Sequence, residues 1–127
     1  MNINDCFGFE ELEVWKKARE IKIEIFGLIN SFPAEEQFRL TDQIKRSSRS
    51  IPALIAEGHG RFSYPDQIHY CVQARGSLSE TMNHLIDAFD RTYITNEILK
   101  NFRIKLKLLD RLLNGYIKYL GTKKENK

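Results

Sequence analysis

A chain of 127 residues, 42% of them hydrophobic, has the size and apolar content of one domain around one continuous core. Its net charge of +3 does not by itself mark a nucleic-acid binder, its two cysteines exclude a disulfide-built scaffold, and it has no run of 18 apolar residues to cross a membrane. Cys6 and Cys71 lie far apart without metal-ligand spacing, and Met1 to Gly8 lacks a basic stretch followed by an apolar one, so free thiols and a cytoplasmic location are expected.

Apolar residues from Leu12 to Phe32 (Leu12, Trp15, Ala18, Ile21, Ile25, Leu28, Ile29 and Phe32) recur at helical spacing and predict a first helix over residues 9–31. Glu10, Glu11 and Glu13 favour its N-terminal end, and Pro33 closes it. A second helix over 34–58 is predicted from Glu35 and Glu36 at its start through Phe38, Leu40, Ile44, Ile51, Ile55 and Ala56. Pro52 is expected to bend it, and Gly58, His59 and Gly60 to stop it. Ser63, with Pro65 and Asp66 behind it, caps a third helix over 64–91, within which Gly76 is expected to admit a close neighbouring backbone. Thr95 caps a fourth over 96–120, leaving 121–127 as a flexible tail. Short connections make neighbouring helices antiparallel, so the expected fold is all-α: one up-down four-helix bundle spanning 1–127. Helix four carries a second apolar set, Leu99, Ile104, Leu108 and Leu112, which predicts a homo-oligomer.

Charge is uneven along the chain. Residues 1–38 hold four basic and eight acidic residues, 39–97 hold seven of each, and 98–127 hold nine basic and two acidic, so the positive charge is concentrated in the last quarter. Lys100, Arg103, Lys107, Arg111 and Lys118 follow one another at three, four, four and seven residues, which keeps them along one face of helix four and suits a phosphate backbone. Lys45, Arg46 and Arg49 fall within about one turn of helix two and could meet phosphate as well. For Arg46, Glu57, Arg75 and Glu80 the preferred reading is a structural polar network tying helix two to helix three. Tyr93, Tyr116 and Tyr119 are read first as packing residues, with base stacking the alternative.

The segments F-E-E-L-E-V-W-K-K-A at Phe9 to Ala18, L-T-D-Q-I-K-R-S-S-R-S-I-P-A-L-I-A-E-G-H-G-R at Leu40 to Arg61 and A-R-G-S-L-S-E at Ala74 to Glu80 resemble a four-helix-bundle family. That family includes the 23S rRNA intervening-sequence proteins and the accessory proteins of diversity-generating retroelements. The resemblance implies a ring, typically a homopentamer, with RNA or DNA as ligand and, for the retroelement members, a reverse transcriptase as partner. The chain departs from the family at Leu54, where asparagine is usual, and at Arg49, where an apolar residue is usual.

No phosphate-binding glycine loop, H-E-x-x-H motif or His/Cys cluster at metal spacing is present, and His59, His69 and His84 are scattered. The reading is therefore of a non-catalytic protein without metal or cofactor that binds RNA or DNA through Lys45, Arg49, Lys100, Arg103, Lys107, Arg111 and Lys118. The alternative is an oligomeric scaffold for a protein partner, such as a reverse transcriptase, with no direct nucleic-acid role.

Overall fold

A computed structural model describes residues 6–123. Four helices, α1 (Glu13–Ile29), α2 (Leu40–His59), α3 (Tyr64–Asp90) and α4 (Asn96–Lys123), pack about a shared core, and the described residues contain no strand. Each helix buries one stripe, and together the stripes form one apolar cluster from Val14 to Leu120. α2 lies between α1 and α3, and α4 packs on α3 and α1, which places α2 and α4 diagonally across the core.

The first helix does not start at Phe9. Gly8–Glu11 form a separate 3-10 turn, capped where the Phe7 amide donates to the Glu10 carboxylate at 2.8 Å, and Leu12 is extended. Two tertiary contacts set this turn apart. Phe9 meets the Trp15 ring edge-on at 5.0 Å, and Gly8 lies so close to His59 that an added Cβ would be 2.9 Å from the imidazole Cε1. Val14, absent from the predicted stripe, is buried in place of the half-buried Trp15.

Helix two is likewise shorter than its pattern. Ala34–Glu36 form a 3-10 turn, residues 37–39 a further turn, and α2 begins only at Leu40. Glu36 is the cause: its side chain turns inward, accepts from Tyr93 Oη at 2.7 Å and the Leu40 amide at 3.4 Å, and pairs with Arg91 at 3.3 Å. The carboxylate thus serves the first turn of α2 from outside the helix, and Phe38 is left exposed rather than on the core stripe. From Leu40 the helix runs unbroken through the buried Pro52 to His59.

α2 and α3 meet through small and hydroxyl-bearing residues. Thr81 Oγ1 donates to Ser47 Oγ at 2.9 Å, and the Ser50 and Ser77 hydroxyls share a 2.8 Å hydrogen bond. The close approach falls at Gly58, where an added Cβ would lie 2.8 Å from Tyr70 Cβ and 3.2 Å from the Gln67 carbonyl oxygen. Gly76, expected to play that part, faces open space. Ser63 Oγ accepts from the Asp66 amide at 3.2 Å and starts α3. α4 continues through Gly121 and Thr122 to Lys123, with Thr122 Oγ1 donating to the Tyr119 carbonyl at 2.7 Å; the rest of the predicted tail lies outside the described residues.

Candidate nucleic-acid interface

Thr95 starts α4 by accepting the Ile98 amide at 3.2 Å. Leu99, Phe102, Leu106, Leu109, Leu113 and Leu120 then anchor the helix to the core, which fixes which residues point out. At about 100° per residue, Lys100, Arg103, Lys107, Arg111 and Lys118 occupy one strip of the outer surface, on the flank nearer α3. Lys100, Lys107, Arg111 and Lys118 are exposed and Arg103 half-buried, and none makes a hydrogen bond or ion pair among the described residues. Lys105, one step round the helix, behaves differently: its Nζ sits 2.7 Å from Glu24 and ties α4 to α1.

Five unneutralised cations on one face produce a positive potential that a neighbouring carboxylate would otherwise cancel. Their spacing is imposed by the helix, so the charge is a track and not a point. Asp110 lies at the edge of this strip, against the groove between α3 and α4. Arg75, on α3, reaches across to donate to Asn114 Oδ1 at 2.8 Å, and so adds a sixth cation to the same flank. Sequence periodicity missed it because it sits on a different helix.

The polar network expected of Arg46, Glu57, Arg75 and Glu80 does not form. Arg46 pairs with Asp42 at 2.8 Å, Glu57 with Arg61 at 3.0 Å, and Glu80 hydrogen-bonds His84 at 3.1 Å, each one helical turn apart and at the surface. The physical reason is register: Ser47, Ser50, Ser77 and Thr81 occupy the line where α2 meets α3, and the charged residues beside them point away from it. Lys45 and Arg49 are exposed on α2, Lys45 lying 5.8 Å from the Phe26 ring of α1. Because α2 is diagonal to α4, these two do not join the α4 strip.

Of the three tyrosines, Tyr93 is occupied by Glu36 and Tyr116 is packed against the core, where burial pushes its hydroxyl up to about 12. Tyr119 is exposed, stacks on Tyr116 at 6.3 Å and lies under Lys123. The histidines stay apart: His59 lies under Gly8, His69 bonds Gln73 and His84 bonds Glu80. Among the described residues no group of three or more His, Cys, Asp or Glu could hold a metal ion, and no helix is long and apolar enough to cross a membrane.

The chain is similar to a crystal structure of a protein of unknown function from the S23 ribosomal protein family of Bacteroides thetaiotaomicron. The two share 29% identity over 83% of this chain and 95% of that one, with a TM-score of 0.76. No curated protein matches. The family model for the 23S rRNA-intervening sequence protein matches residues 10–115, which takes in the first three helices and α4 as far as Gly115, and the chain therefore belongs to that family.

Proposed function

We propose that the protein is a non-catalytic nucleic-acid-binding factor that holds the phosphate backbone of RNA or DNA along α4, and that it works as a cytoplasmic ring of copies of itself. The observation that carries the reading is the strip of Lys100, Arg103, Lys107, Arg111 and Lys118, five cations on one face without an anionic partner. Such a strip contacts charge and not base edges, so its own contribution to binding should be the same for every sequence. The antiparallel arrangement is supported by the pairing of Ser47 with Thr81 and Ser50 with Ser77, numbers rising in one helix as they fall in the other. Assembly into a ring, five subunits by family resemblance, is supported by Ile104, 69% exposed, with Leu108 and Tyr119 also exposed on the outer α4 surface, where Ile104 and Leu108 line a groove edged by Lys107 and Arg111.

Fluorescence anisotropy with labelled RNA and DNA tests the reading. Glutamine at Lys100, Arg103, Lys107 and Arg111 should weaken binding to every sequence, while glutamine at Lys45 and Arg49 should change it little; the reverse pattern moves the site to α2. Light scattering of the parent reads the assembly, and a monomer at micromolar concentration would remove the ring. A second reading, a scaffold for a protein such as a reverse transcriptase, is favoured by the same exposed Ile104 and Leu108. It predicts no nucleic-acid affinity at physiological salt.

A further inference from the structure

We infer that the groove between α3 and α4 receives one unpaired nucleobase whose pairing edge carries an amino group; the inference rests on the nucleic-acid reading of α4. A cavity of about 270 Å³ opens there. Its floor is Leu78, Met82 and Leu106, and its rim is Ser79 from α3 with Arg103, Lys107 and Asp110 from α4. An apolar floor with a few polar groups at the edge is the composition that holds a flat, partly polar ring. Double-stranded nucleic acid cannot lay a base into such a groove, because its bases are stacked on one another and their pairing edges are taken up by the partner strand. A single strand or a bulge can turn a base out while its phosphates stay on the cations.

Arg103 and Lys107 belong both to the phosphate track and to the groove, so a nucleotide held by its phosphate there has its base within reach of the floor. Asp110 gives the site its chemical preference. A carboxylate on an otherwise basic face repels phosphate, and this one stands at the groove. Its Oδ2 takes only a 3.4 Å contact from Asn114, and it forms no ion pair with the cations around it, which leaves Oδ1 open to a donor. Cytosine presents its N4 amino group to such an acceptor. Uracil turns carbonyl oxygens outward on both sides of its single N–H, and their lone pairs face the carboxylate.

The test compares oligocytidylate and oligouridylate of equal length with duplex RNA, using the parent protein, Asp110→Ala and Ser79→Trp. Oligouridylate should bind about tenfold more weakly than oligocytidylate, the size of one good base-edge contact. Asp110→Ala should bring the two affinities together. The ratio is the readout, because loss of a negative charge strengthens binding to both. Ser79 is an exposed groove residue, so tryptophan there fills the opening from outside the core; it should weaken single-strand binding and leave duplex binding unchanged. Equal affinity for the two oligomers, discrimination that survives Asp110→Ala, or single-strand binding unaffected by Ser79→Trp overturns the inference while leaving the phosphate track in place. If Ser79→Trp changes the mass of the assembly, the groove is a contact between copies and the inference is overturned. If none of the three ligands binds the parent, the proposed function and this inference fall together.

Discussion

Gly58→Ala and Gly76→Ala are the same chemical change on adjacent helices, and the structure assigns them opposite signs. In a helix interior alanine is favoured over glycine by about 1 kcal/mol. At Gly76 nothing lies within 4 Å of an added Cβ, so most of that gain should appear as stability. At Gly58 the new methyl group meets Tyr70 Cβ at 2.8 Å and the Gln67 carbonyl at 3.2 Å, neither the end of a flexible side chain. α2 and α3 must move apart, against the 2.8 and 2.9 Å hydroxyl bonds further along the same helix pair. Gly58 is the next-to-last residue of α2, where the propensity gain is smaller than in the interior, so overpacking of this kind, which costs about 1 to 3 kcal/mol, leaves a net loss of about 1 to 2 kcal/mol. For a chain of this length that is a fall in Tm of about 3 to 8 °C for Gly58→Ala, against a rise of a few degrees for Gly76→Ala. Thermal melts followed by circular dichroism read both. A Tm for Gly58→Ala at or above the parent's would show that α2 and α3 are not held at the spacing described.

Two further outcomes follow from buried groups. The hydrogen bond from Tyr93, with lesser help from the Leu40 amide, Arg91 and Arg39, holds the Glu36 carboxyl below its ordinary range. A lowered carboxyl contributes stability that is present above the ordinary carboxylate range and is lost as pH falls below it, so Glu36→Gln should lower Tm at pH 7 and leave a flatter acid limb in a Tm-against-pH series. An unchanged acid limb would remove Glu36 from that role. Burial pushes the Cys71 thiol up to about 11, so at pH 8 it should resist a thiol reagent that labels it fully in denaturant, as mass spectrometry would show.

Helix periodicity made the four-helix content, the Ser63 and Thr95 caps and the α4 cation strip legible in the sequence, because each depends on residues within one or two turns of each other. What it could not carry were effects that cross between helices. Glu36 reads as a favourable first-turn acid, and only Tyr93 and Arg91, more than 50 residues away, turn it inward and delay α2 to Leu40. In the sequence Gly58 reads as part of a helix stop and Gly76 as the close approach, whereas it is Gly58 that faces Tyr70. Chemical affinity alone puts Arg75 in a network with Arg46, Glu57 and Glu80, whereas the hydroxyl line between α2 and α3 leaves it facing Asn114. Charge alone groups Lys45 and Arg49 with the α4 cations, and the diagonal placement of α2 separates them.

The central claim is that α4 binds phosphate, and the salt dependence of binding tests it most directly. Affinity for a labelled single strand and a duplex, measured across a salt series, gives a slope of log affinity against log salt to which each neutralised phosphate contributes about 0.7 in a single strand and about 0.9 in a duplex. Glutamine at Lys100, Arg103, Lys107 and Arg111 keeps helix propensity and removes four charges, so the slope should flatten by about 3 for the single strand and somewhat more for the duplex, with the melting temperature retained. A variant that binds with the parent's affinity and the parent's slope would contradict the account.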